Sequence, residues 1–242
     1  MNALEQITVG EFVAGDFRTA AVFSKYGIDF CCKGNRTLEE VCEKKGIDIH
    51  VVQDELNAVL ESKSDNNIDF KSWPIDLLID YIEKTHHRYV EEKSTALLFY
   101  LDKLCKVHGQ RHPELFEIGL HFKICATELA QHMKKEELIL FPFVKKMFHS
   151  LRDQESIEQP HFGTVNNPIA MMQDEHENEG ERFRIIAKLT DNYNPPVDAC
   201  ETYRVTFAML KEFEQDLHKH IHLENNIVFP KAQAMETKFD LI

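Results

Sequence analysis

Two stretches in the second half of the chain repeat one pattern. His132 to Pro142 reads HMKKEELILFP, and His220 to Pro230 reads HIHLENNIVFP. Histidine, glutamate, isoleucine, phenylalanine and proline recur at the same offsets, and each histidine follows an acid by four residues (Glu128, Asp216) and a leucine by three (Leu129, Leu217). Histidine and glutamate four apart on an α-helix are turned by only about 40° and separated by about 6 Å along the axis, so both side chains can reach one site. Leu129, His132, Glu136 and Ile139 or Leu140 form one stripe, as do Leu217, His220, Glu224 and Ile227 or Val228. Apolar residues above and below each polar pair point it into a core. A lone carboxylate buried there costs several kcal/mol. Two divalent cations, bridged by the glutamates and capped by the imidazoles, relieve that cost.

A dinuclear site needs more donors. His86 lies 46 residues before His132, and His176 lies 44 before His220, each on a stretch that pairs with its neighbour as a helical hairpin. Ile79, Ile82 and Tyr89 or Val90 share the face of His86; Met172, Gln173, Glu179 and Phe183 lie near that of His176. The expected ligand set is therefore His86, His132, Glu136, His176, His220 and Glu224. His87 falls about 100° round the helix from His86, and His218 and His222 about 200° round from His220, so all three are placed outside the set. His121 shares a face with His132 but sits about 16 Å away along the axis. Imidazole with carboxylate suits iron, with manganese next, and the absence of thiolate from the set disfavours zinc and copper(I). Phe141-Pro142 and Phe229-Pro230 read as core cover followed by a kink or helix end. Glu128, one turn before His132, and Glu175, beside His176, are candidates to orient an imidazole or relay protons.

Four long amphipathic stretches must position these residues: about Pro74 to Val107, Pro113 to His149, Pro168 to Thr190 and Ala199 to Met235. His108-Gly109, Gly163 to Asn167 and Asn194-Pro195-Pro196 connect them. Long helices with such connections predict an antiparallel four-helix bundle over residues 73–242. Residues 1–62 predict a small helical domain: short helices between Thr8 and Tyr26, a capping box of Thr37 and Glu40, and a helix from His50 to Leu60. The polar stretch Glu61 to Ser72 predicts a linker. The fold class is all-α, with no convincing alternating strand.

The 242 residues carry a net charge of −13, which argues against nucleic acid as a partner. No apolar run approaches the roughly 20 residues of a membrane span, and the N-terminus lacks the pattern of a secretory signal, so a cytoplasmic location is expected. The six cysteines are then expected as thiols, with the vicinal pair Cys31-Cys32 distinctive.

These motifs resemble those of the RIC family (repair of iron centres), hemerythrin-like di-iron proteins of iron-sulfur cluster repair. KYGIDFCCKGNRTLEEVCEKKGID (Lys25 to Asp48) is similar to that family's N-terminal domain, HMKKEELILFP and HIHLENNIVFP to its ligand motifs, and DEHENEG (Asp174 to Gly180) to its third-helix histidine segment. The resemblance spans nearly the whole chain. It implies a hemerythrin-like bundle holding two iron ions on the same six residues, and a stress protein acting on damaged iron-sulfur proteins. Nitric oxide or oxygen would be the small ligand, and a homodimer is a compatible assembly. Cys31 and Cys32 would act as reductant, nitric oxide acceptor or iron transit point. The work done would be iron donation, nitric oxide reduction or both; the alternative is a non-catalytic sensor of oxygen, nitric oxide or iron. Oxygen-carrying hemerythrins use a fifth histidine, and no well-placed fifth one is evident here, which implies a more open site. Delivery through the cysteines implies that the N-terminal domain moves on its linker.

Overall fold

A computed structural model describes residues 7–62 and 68–239. In the N-terminal part, helix α1 (Val9–Gly15) begins at a capping box: the Thr8 side chain accepts from the Glu11 amide while the Glu11 carboxylate accepts from the Thr8 amide. The Thr37–Glu40 box opens α3 (Leu38–Lys45), which stops at Gly46 in the left-handed conformation, φ 65°. Between them lies α2 (Ala20–Lys25), and α4 (Ile49–Glu61) follows. Among the described residues, the strand-like pairing is limited to an isolated bridge between Thr8 and Thr37.

Four long helices make the C-terminal bundle, and three of them contain a π-helical turn. The first runs through α5 (Ile75–Tyr81), a π turn (Ile82–His87) and α6 (Arg88–His108). The second runs through α7 (Glu114–Lys135), a π turn (Glu136–Leu140) and α8 (Phe141–Asp153). The third is α9 (Asn166–Leu189). The fourth runs through α10 (Glu201–Leu223), a π turn (Glu224–Val228) and α11 (Phe229–Glu236).

Two of the π turns have a cause in sequence. Pro142 and Pro230 have no N–H to donate, and their rings crowd the carbonyl four residues back. The helix widens just before each: Phe141 N–H donates to the Glu136 carbonyl, and Phe229 N–H to that of Glu224, five residues back in both cases. The kink or helix end expected at these prolines is thus a local widening in an otherwise continuous rod.

Two apolar clusters fill the interior. One contains Val90, Phe122, Met133, Phe183, Phe213, Ile221 and the N-terminal residues Phe23, Phe30 and Leu38. The other contains Ile79, Ile82, Leu140, Phe141, Met172, Ile227 and Phe229. On each bundle helix the inward histidines and glutamates fall between the two, so the polar layer is closed above and below by hydrocarbon. Because the first cluster includes residues from both parts of the chain, the N-terminal helices dock on the bundle. Phe30 packs edge-on against His218 and His222, which face the N-terminal helices rather than the polar layer. The centre of the expected linker, residues 63–67, lies outside the described residues. Its far end is a short turn (Phe70–Ser72) with Phe70 buried against Trp73 and Tyr81. Among the described residues, no helix is long and apolar enough to cross a membrane.

Candidate metal centre

Glu136 and Glu224 are fully buried at the centre of the polar layer. Each stands at the start of a π turn. Around them, two groups of donor atoms each lie within 4.8 Å of one another: His87, Glu136, His220 and Glu224, and His132, Glu136, His176 and Glu224. Both carboxylates belong to both groups.

In the second group, His132 Nε2 is 3.1 Å from His176 Nε2 and 3.4 Å from Glu136 Oε2, and His176 Nε2 is 3.2 Å from Glu224 Oε2. In the first, His87 Nε2 is 3.4 Å from Glu136 Oε2 and 3.9 Å from Glu224 Oε1, and His220 Nε2 is 2.9 Å from Glu224 Oε1. Donors bound about 2.1 Å from a shared cation lie at about such spacings. Among the described residues, several buried atoms of these groups find no hydrogen-bond partner: both Glu136 oxygens, Glu224 Oε2 and His87 Nε2. Buried polar atoms are rarely left unpaired, so an orphaned set converging on two points fits a pair of cations.

Of the six expected ligands, the structure brings five together, and it exchanges His86 for its neighbour. His87 points Nε2 at the carboxylates. His86 instead faces Asp216, with Nδ1 2.9 Å from Oδ1, and lays its ring parallel to His220 at 5.7 Å. The helical wheel that favoured His86 assumed α-helical winding throughout. Residues 82–87 are wound more widely, so the inner face set by Ile82 is regained at His87, five residues on. The fifth histidine that the wheel missed is therefore His87, while His86 stays at the edge of the layer, fully buried.

Three of the four inward rings are held by a partner from a neighbouring helix, while His220 Nδ1 has none among the described residues. Glu175 accepts from His132, 2.8 Å from Nδ1, and pairs with Lys135. The hydrogen bond from His132 and the Lys135 charge hold the Glu175 carboxyl down at about 2, against a smaller effect of burial. Glu137 holds His87 (3.0 Å) and the Asn225 amide oxygen holds His176 (3.0 Å). These last two escaped the sequence reading, yet each directly follows a central glutamate in the repeated motif. Glu128 reaches none of the rings: it pairs with Arg182 at 2.7 Å on the wall of a cavity of about 300 Å³. That cavity is also lined by His132, Lys135, Glu175, His176 and Glu179, and so opens one flank of the layer. Phe141 stacks on His87 and Phe229 on His176.

Without a cation the carboxylates are balanced by protons. Burial would lower the pKa of His87 and His176, but the facing Glu136 and Glu224 more than reverse this and hold them at about 10 and about 9. The same attraction, chiefly to His220 and His176, overcomes burial and keeps Glu224 well below the usual carboxylate range.

Cys31 and Cys32 lie at the foot of the N-terminal docking surface, their sulfurs 3.7 Å apart. Cys32 Sγ donates to the backbone carbonyl of His176 (3.3 Å), so the pair abuts the polar layer from outside. They line a cleft of about 410 Å³ between the two parts of the chain.

Residues 78–232 match the model of the hemerythrin HHE cation-binding domain. The chain belongs to that family. The hemerythrin domain carries every residue of the polar layer, and ahead of it residues 5–60 match a domain of unknown function, DUF542, that contains Cys31 and Cys32. The same two-part chain is similar to the iron-sulfur cluster repair protein YtfE of Musicola paradisiaca, 32% identical over 93% of this chain and 95% of that protein. It is 33% identical to the YtfE of Enterobacter sp. strain 638 over 94% of this chain and 97% of that protein. The YtfE of Escherichia coli strain ED1a is 32% identical over the same shares. This chain is thus a member of the hemerythrin-like iron-sulfur cluster repair proteins, with a cation-binding four-helix bundle.

Proposed function

We propose that this protein repairs iron-sulfur clusters damaged by nitrosative or oxidative stress, using two iron ions held by Glu136 and Glu224 between His87 and His220 on one side and His132 and His176 on the other. The observation that carries this reading is the pair of donor groups sharing both buried carboxylates. Bound there, two ferrous ions would supply either labile iron for a damaged cluster or adjacent redox centres that reduce nitric oxide.

The chain's own residues do the rest. His87 and His176 give up their protons to admit the cations. Glu137, Glu175 and Asn225 fix the ring orientations of His87, His132 and His176. Glu175, ionised and paired with Lys135 at the cavity mouth, is placed to pass protons between solvent and His132. The cavity at His132 and His176 admits a diatomic ligand, while Phe141 and Phe229 cover the rings of His87 and His176. Cys31 and Cys32, against His176, stand where a reductant or an iron acceptor has to work.

The test is metal content and optical spectrum of the purified protein beside a Glu136→Ala/Glu224→Ala double variant, followed by nitric oxide turnover. About two irons per chain, lost in the variant, is the expected result. Zinc, or no metal in either protein, sinks the di-iron reading. Reversible ligand binding with no product and no iron transfer would point instead to a sensor.

A further inference from the structure

The amide of Asn225 touches both the polar layer and the cysteine pair. Its Oδ1 accepts from His176 Nδ1 at 3.0 Å, and its Nδ2 donates to the Cys31 carbonyl at 3.2 Å. That carbonyl belongs to the peptide joining Cys31 to Cys32. The fit around it is close. Cys32 Sγ donates to the His176 carbonyl, Asn226 Nδ2 donates to the Phe30 carbonyl at 3.2 Å, and a Cβ at Gly180 would stand 3.2 Å from Cys32 Sγ.

A disulfide between adjacent cysteines closes a ring that includes this peptide. Neighbouring Cα atoms across a trans peptide are about 3.8 Å apart, less than the roughly 4.4–6.8 Å of ordinary disulfides. The peptide must turn to close the ring, and its carbonyl turns with it. The acceptor that Asn225 uses is therefore the group that thiol oxidation moves.

We propose that Asn225 is a positioning residue that ties the thiol state of Cys31 and Cys32 to the hold on metal at His176. With both thiols reduced, the Cys31 carbonyl anchors the amide so that its oxygen faces His176 and fixes the ring. Oxidation by a disulfide such as oxidised glutathione converts the two thiols to one disulfide and releases two molecules of reduced glutathione. The anchor is then lost, His176 loses its fixed acceptor, and the site holds metal less tightly. Linkage requires the reverse effect by the same factor: bound metal makes the pair harder to oxidise. The inference rests on the reading of His176 as a metal ligand.

The test uses the full chain in a Cys200→Ser background, which removes the exposed thiol. Anaerobic ferrous iron is titrated into protein with the pair reduced or oxidised by glutathione, the bond located by peptide mapping. In the parent, oxidation is expected to weaken iron binding by about 10- to 100-fold, the size of effect that losing a ligand's supporting hydrogen bond produces. Asn225→Asp keeps an acceptor for His176 but cannot donate to Cys31: its iron affinity, whatever its level, should show no difference between thiol states. Asn225→Ala should bind as weakly in both states as the oxidised parent. The midpoint of the pair in glutathione buffer, metal-free against iron-loaded, should shift by the same factor in the parent and not in Asn225→Asp.

Two irons bound equally well in both thiol states of the parent would overturn the coupling while leaving the site intact. A state difference retained in Asn225→Asp would overturn the role of Asn225. No iron bound by the parent would overturn both this inference and the site reading.

Discussion

His132 Nε2 and His176 Nε2, from the second and third bundle helices, lie 3.1 Å apart with Glu136 and Glu224 behind them. Two imidazole nitrogens this close share a proton or a cation, because two lone pairs facing each other in a dry interior repel. The pairing is what a cation would organise, and it gives the polar layer consequences that can be measured.

The first concerns the two adjacent histidines of the first helix. His87→Ala should lower metal content by about half, because it leaves one donor group short of an imidazole. His86→Ala should retain both ions, since that ring faces Asp216. Elemental analysis of the purified variants decides it; a larger loss from His86→Ala would restore His86 to the ligand set.

Glu175 and Glu128 should separate. Glu175→Gln removes a charged acceptor from His132 and is expected to weaken metal binding about 10- to 100-fold. Glu128→Gln touches no ring and should change it by no more than a few-fold. Competitive chelator titrations give both values, and equal effects would refute the distinction.

The metal-free protein should lose stability as pH rises. His87 and His176 have pKa values of about 10 and about 9, against 6.5 for the ordinary group. A raised histidine pKa contributes stability that is complete below pH 6.5 and disappears as pH passes through 9 to 10. Thermal midpoints of the chelator-treated protein should therefore fall across this window. Metal uptake should release protons, and affinity should grow with pH over the same range. A metal-free midpoint that climbs from pH 6.5 to 9 would contradict the proton-balanced layer.

Docking of the N-terminal helices should depend on Phe30, which is buried against His218 and His222. Phe30→Ala is expected to cost about 3 kcal/mol and to speed alkylation of Cys31, itself buried. Crosslinks between the two parts of the chain, with and without nitric oxide, would show whether the docked arrangement opens. A single fixed arrangement in both conditions would count against delivery by domain movement.

The all-α class, the four long helices and the inward His132, Glu136, His176, His220 and Glu224 were legible in the sequence. The reason is physical: apolar spacing at the helical period decides which face is buried, and a motif repeated in two hairpins with matching apolar brackets has to meet itself in the core. Both capping boxes were open to the same kind of reading, because a Thr or Ser followed three residues later by Glu satisfies its own amides locally. What only the tertiary structure decided depends on departures from regular winding and on contacts between distant segments. The choice of His87 over His86 turns on a π turn without a proline to announce it. The partners Glu137 and Asn225 act on rings of other helices, 50 and 49 residues away. The placing of Cys31 and Cys32 against His176 depends on how two separately patterned parts of the chain pack, a relationship that no local periodicity encodes.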